Sequence, residues 1–167
     1  IRQVGELRKM VDEFSSFARL PKPVFRAEDP VDLARQALFL QEVARPDIAF
    51  AFSAEPGIHR IDCDRHQFGQ AMTNVLKNAV EAVDARERGE DTGFRGRIAV
   101  YMAGNADSAF VSVRITDNGI GLPKDRERIV EPYVTTREKG TGLGLAIVNK
   151  IVEEHGGEMS FDPAEGG

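Results

Sequence analysis

The sequence predicts an α+β protein: a two-layer α/β sandwich with a mixed sheet and helices on one face, preceded by one amphipathic helix. Three observations carry this. Residues 1–20 repeat apolar side chains at three- and four-residue steps and stop at Pro21-Lys22-Pro23. Two later helical patterns each have a single apolar face, as a helix lying on a sheet requires. Short apolar alternations between and after them read as strands.

In chain order, Val4, Leu7, Val11, Phe14 and Ala18 form a heptad seam, thickened by Phe17 and Leu20. One helix cannot bury that seam alone, so it needs partner helices, in a bundle or coiled coil of one chain or a dimer, or else it packs on its own domain. Pro21 and Pro23 end the helix, and the boundary falls there, giving units of residues 1–22 and 23–167. Asp29-Pro30 reads as an N-cap and first helical residue, with the helix running through Val31, Ala34, Leu38 and Val43 to Pro46. Ile48, Phe50 and Phe52 alternate as a strand, Pro56-Gly57 turns, and Ile58 to Cys63 is a second strand. Asp64 caps a long helix whose apolar face is Phe68, Met72, Val75, Leu76, Ala79 and Val83.

Residues 86–96 are charged and glycine-rich, which predicts a mobile surface loop. Residues 98–102 and 110–115 read as paired strands joined by a turn over Gly104 to Ser108. Residues 123–128 suggest a short helix, and Glu131 to Gly140 a mobile loop. A last helix spans about Leu143 to His155 and stops at Gly156-Gly157, and Met159 and Phe161 begin a strand.

Composition narrows the function. The 167 residues suffice for one full core, and a net charge of −5 argues against nucleic-acid binding. The single cysteine, Cys63, has no partner for an internal disulfide, which points to a reducing compartment, and its alternating context reads as buried. No apolar run approaches the roughly 18 residues that span a bilayer. The start lacks an initiator Met and a signal-peptide pattern, and the chain reads as a fragment of a longer protein.

Three stretches carry the chemistry. Gly140-Thr141-Gly142-Leu143-Gly144 precedes an apolar helical run, a phosphate cradle in which the backbone approaches an anion at a helix N-terminus. Asn74, Lys77, Asn78 and Glu81 recur at helical spacing opposite the apolar face. Amide oxygens suit Mg²⁺ beside nucleotide phosphates, and a lysine neutralises phosphate charge. Asp117-Asn118-Gly119-Ile120-Gly121 follows a strand, where a carboxylate can accept from the exocyclic amine of adenine. Taken singly, each stretch also reads as a flexible turn, a solvated helix face or an Asx turn.

In this order the stretches resemble the catalytic ATP-binding domain of sensor histidine kinases, in the GHKL superfamily that also holds gyrase, Hsp90 and MutL. Asn74 to Ala79 resembles the N box, Asp117 to Gly121 the G1 box and Gly140 to Gly144 the G2 box. Glu131-Pro132-Tyr133-Val134-Thr135-Thr136 resembles the F box, with Tyr133 where many members carry Phe. The segment Val11 to Arg19 resembles the end of the second helix of the dimerisation and histidine-phosphotransfer domain. The Phe-Ala-Arg stretch and the F-box segment are most similar to NtrY-type nitrogen-regulation kinases.

The resemblance implies a Bergerat-type ATP fold with ATP and Mg²⁺ as ligands. It implies that Asn78 coordinates the metal, Asn74 assists near the phosphates and Lys77 contacts phosphate. Asp117 would bind the adenine amine, in a pocket lined by Ala82, Ile120 and Leu145. Gly119, Gly121, Gly140, Gly142 and Gly144, with Thr141 and Leu143 between the last three, would shape the backbone around the nucleotide. Residues 132–141 would form the lid, bringing Tyr133, Thr135, Thr136, Arg137 and Lys139. Implied partners are the chain's own dimerisation and phosphotransfer domain, a response regulator and, in the full-length protein, a second copy.

One departure matters: none of His59, His66 and His155 lies in the family's His-Glu phosphoacceptor motif, so the acceptor is expected elsewhere. Two other readings compete. Hydrolysing relatives carry Glu at the position matching Asn74, and an amide is no general base, which disfavours a GHKL ATPase unless Glu81 serves. A nucleotide-gated interaction module without catalysis also fits. All three require Asn78, Asp117 and Gly142 to converge on one nucleotide.

Overall fold

A computed structural model describes residues 2–89, 93–104, 107, 109–122, 128, 130–131 and 143–163. The chain forms two compact units: Val24–Leu122 with Asp162–Gly167, and Ile1–Pro23 with Pro123–Phe161.

The larger unit is a two-layer sandwich. Its helices are α2, Pro30–Ala44, and α3, Arg65–Glu87. Asp29 caps α2, accepting from the Val31 and Asp32 N–H groups at 3.0 and 3.3 Å, with Pro30 opening the helix. Strands β2, Ala49–Ala54, β4, Arg97–Gly104, and β5, Val111–Asp117, form a mixed sheet in the order β2-β4-β5. The β2–β4 pair is parallel and brackets α3 in the chain, as a crossover connection demands. The β4–β5 pair is an antiparallel hairpin that sets Asp117 opposite Ile98.

Period-2 alternation drives Ile98, Val100 and Met102 of β4 inward, each essentially sealed from solvent. They meet Ala34, Ala37 and Leu38 of α2 and Met72, Leu76, Ala79 and Val83 of α3 in one core. Burying a side chain such as Leu76 or Ile98 contributes about 1.5–3 kcal/mol. A charged clip closes the far side: Arg45, just after α2, makes paired contacts of 3.0 and 2.7 Å to Asp84 of α3 and grips Asp47 as well.

A small antiparallel pair, β1 (Arg26–Glu28) with β3 (Ile61–Cys63), lies before α3. It encloses Cys63, whose thiol burial and the nearby Glu28, Asp64 and Asp62 carboxylates push up to about 11. Asp64 then caps α3 through 3.0 Å contacts from the His66 and Gln67 N–H groups and takes a third, 2.8 Å, from Val24. Burial pulls its carboxyl upward, but the three donors outweigh that and hold it below the usual carboxylate range.

In the smaller unit, α1 (Arg2–Ala18) meets α4 (Gly144–Glu154), with Lys150 Nζ 5.7 Å from the Phe17 ring centre. Ala146, Ile147, Val148 and Ile151 of α4 are buried. The heptad side chains Val4, Leu7, Val11 and Phe14 are exposed. No helix among the described residues is long and apolar enough to cross a membrane.

Three expectations need correction. The charged segment after residue 85 is not one loop: α3 continues to Glu87, and Gly96 is buried so tightly that a Cβ there would stand 2.3 Å from Val83 Cγ1. The second strand is only Ile61–Cys63, because its partner β1, which the alternation did not reveal, is three residues long. Residues 157–163 are irregular; without a ladder partner among the described residues, the alternation at Met159 and Phe161 has nothing to pair with. The seam of α1 is helical as expected, with Val4, Leu7, Val11 and Phe14 left exposed. The short helix expected at 123–128 falls largely outside the described residues, as does most of the 131–140 loop.

Asp64→Ala is expected to lower stability by about 2 kcal/mol at neutral pH. A carboxyl depressed by folding stabilises above the unfolded value of about 3.9, and its contribution is lost as pH falls through the folded value. The deficit should therefore shrink in strong acid; urea denaturation of both proteins at neutral and strongly acidic pH checks this, and an equal gap at both would contradict it.

Candidate functional site

Helix α3 supplies the first wall of the site. Residues four apart on a helix are offset by only about 40°, so Asn74, Asn78 and Ala82 form one row. Met72, Leu76, Ala79 and Val83 take the buried side, while Asn74 and Asn78 are half-buried on the flank. Lys77 and Glu81 stand on a neighbouring, exposed row. The polar stripe read from spacing is therefore two rows, and the two amides occupy the sheltered one.

The turn after β5 supplies the second wall. Asp117 Oδ1 accepts from the Gly119 N–H at 2.9 Å, closing an Asx turn. Gly119 then lies against Ala82: a Cβ at 119 would come within 2.4 Å of the Ala82 carbonyl carbon and 2.6 Å of its oxygen and Cβ. Only glycine permits that approach. The Ile120 N–H donates to the Ala82 carbonyl at 3.1 Å, and Gly121 follows with φ +85°. The turn is thus docked on the row that carries Asn78, one helical turn along.

Asp117 is half-buried at this junction. Desolvation pushes its carboxyl above the usual value, and the Gly119 N–H pulls it only partly back. A desolvated carboxylate with one donor gains strongly from a second, which is the chemistry of an amine-recognition group.

Asn118 is held more tightly than its motif suggested. Its Oδ1 accepts from the Arg97 N–H at 2.7 Å, and its Nδ2 donates to the Arg95 carbonyl at 2.9 Å. Its backbone N–H donates to the Arg97 carbonyl at 3.2 Å, and its carbonyl accepts from Arg86 Nη1 at 2.8 Å. The sequence reading passed over this residue; its only signal was an Asn between two residues already assigned.

Residues 63–167 match the family model of the histidine kinase-, DNA gyrase B-, and HSP90-like ATPases. The chain belongs to this family. Nitrogen regulation protein NtrY of Azorhizobium caulinodans is 49% identical over 168 residues, covering 100% of this chain and 21% of that protein. Full-length ShkA in complex with AMPPNP aligns with a TM-score of 0.75 and 26% identity, over 97% of this chain and 35% of that one. Histidine kinase ThkA in complex with the response regulator protein TrrA aligns with a TM-score of 0.69 and 26% identity, over 93% of this chain and 42% of that one. The chain spans about a fifth to a quarter of the length of NtrY and of an NtrY-like relative that it matches.

The larger unit is the α+β sandwich expected from the sequence, and in it the turn after β5 meets α3 at Ala82. Ala82 sits beneath Gly119, whereas Ile120, expected to line an apolar pocket, points its side chain to solvent at 64% exposure. Leu143, which is buried, Gly144 and Leu145 belong to the smaller unit, at and within the start of α4. Tyr133, Thr135, Thr136, Arg137, Lys139, Gly140, Thr141 and Gly142 lie outside the described residues, and the convergence expected for Gly142 lies there with them.

Gly119→Ala is expected to destabilise the chain by about 2 kcal/mol or more, because the added methyl meets helix backbone. Thermal melting checks this; an unchanged melting temperature would show that the turn stands off α3.

Proposed function

We propose that this chain is the ATP-binding catalytic part of a sensor histidine kinase, presenting the γ-phosphoryl group of ATP to a histidine outside residues 1–167. The observation that carries the reading is the desolvated Asp117 carboxylate, docked through Gly119 against the helix row that bears Asn74 and Asn78.

Each group has a task. Asp117 accepts from the adenine exocyclic amine. Asn78 offers a neutral amide oxygen, which fits Mg²⁺ bound mainly by phosphates and water, and Asn74 assists near the phosphates. The bound metal would neutralise phosphate charge and orient the terminal phosphoryl group. Lys77, on the exposed row, adds positive charge near the phosphates. The resemblance would assign the phosphates to the Gly140 to Gly144 stretch and a lid to Tyr133, Thr135, Thr136, Arg137 and Lys139. In transfer, the bond from the γ-phosphorus to the ADP oxygen breaks, a phosphorus–nitrogen bond forms on the imidazole, and the imidazole proton leaves to solvent. Positioning and charge neutralisation supply most of the acceleration.

The amide at Asn74 and the exposed row of Glu81 disfavour water activation, and with it a hydrolysing ATPase. Residues 1–22 are read as the end of the dimerisation and phosphotransfer helix, whose uncovered heptad face suits a homodimer of the full-length protein. The ThkA–TrrA complex supports a response regulator as the later acceptor. We further propose that this part lies in the cytoplasm and that the parent protein is anchored in the inner membrane; relatives named sensor histidine kinases support a signalling role for the parent.

Asp117→Ala is expected to weaken Mg-ATP binding at least about tenfold by calorimetry, the loss of one charge-assisted hydrogen bond. Unchanged affinity would overturn the adenine assignment. Asn78→Ala is expected to bind ATP with the same affinity with and without Mg²⁺, and a metal that still strengthens binding in that variant would overturn the ligand assignment.

A further inference from the structure

We propose that Asn118 is a positioning residue for base recognition: its side chain ties the Asp117–Gly119 turn to the chain entering β4 and so sets the affinity and base selectivity of the nucleotide site. The inference rests on the reading of Asp117 as the adenine-binding group.

The turn contains three residues with different duties. Asp117 presents the carboxylate and Gly119 makes the contact with α3, but neither fixes the plane between them. Asn118 does so from four directions. Its side chain spans the backbone on both sides of Gly96, accepting from the Arg97 N–H and donating to the Arg95 carbonyl. Its own N–H reaches the Arg97 carbonyl, and its carbonyl takes the Arg86 guanidinium. Arg86 is held in turn, its guanidinium carbon 5.0 Å from the Phe94 ring centre. The two peptide units on either side of Asn118, the first of them next to the carboxylate residue, are thereby pinned to the β4 entry and to α3.

Only an amide meets these demands, because the site needs one acceptor and one donor on the same planar group. A carboxylate keeps the Arg97 contact but sets an oxygen against the Arg95 carbonyl. A methyl loses both contacts and leaves the Asp117 turn with fewer restraints. Recognition of a base edge depends on placement to about 0.5 Å, so loosening the turn degrades amine recognition before it degrades phosphate binding.

The test is calorimetric titration of the 167-residue chain with ATP, GTP and inorganic tripolyphosphate, alongside thermal melts. Asn118→Ala is expected to weaken ATP binding about tenfold while leaving GTP and tripolyphosphate within about twofold, so the ATP-to-GTP ratio collapses. Asn118→Asp should fall between the two, and Arg86→Ala should shift the ratio the same way by less. If Asn118→Ala melts too low to titrate, those two variants carry the test. Equal weakening of all three ligands, or an unchanged ATP-to-GTP ratio, overturns the proposal. Asp117→Ala in the same series separates the two readings: if it keeps the ratio, the adenine assignment itself fails. If Asp117→Ala loses the ratio while the Asn118 and Arg86 variants keep it, only the positioning role fails.

Discussion

The larger unit depends on a contact that admits no side chain: Gly119 resting on the backbone of Ala82. It brings the end of β5 within hydrogen-bonding reach of the C-terminal part of α3, and the Ile120 N–H completes the junction. Everything that makes the site follows from this closeness. Asp117 is desolvated because the turn lies on the helix, and the two asparagines share a row with Ala82 because α3 is regular there. The core beneath keeps α3 in place, through Leu76 and Val83 against Ile98 and Val100.

The site is not free of cost to the fold. An acid raised by burial binds its proton more readily in the folded chain than in the unfolded one, so Asp117 opposes folding at neutral pH. Asp64 has the opposite sign, since three backbone donors favour its charged form. The two aspartates look alike in the sequence, each beside a helix or strand end. Their donors separate a structural cap from a sheltered carboxylate with one backbone donor among the described residues.

Much of this was legible before any coordinates. Asp29-Pro30 and Asp64 announced their helices because capping chemistry is local. The β4 alternation was legible because one face is buried. Local pattern failed where partners are distant. Strand β1 has three residues and exists only because Ile61–Cys63 pairs with it. Gly96 read as part of a mobile loop because nothing nearby in the chain signals Val83 as its neighbour. Met159 and Phe161 alternate like a strand, but alternation does not supply a ladder partner. Asn118 was overlooked for the same reason: its bonds run to residues 86, 95 and 97, more than twenty positions away.

The enclosure of Cys63 has a practical corollary. A thiol pushed up to about 11 stays protonated at neutral pH, and this one is also shielded from reagents. The chain therefore comes with a silent background for maleimide chemistry. A cysteine introduced on a surface such as the exposed row of α3 would take a fluorophore or spin label selectively, with no need to remove the native sulfur first.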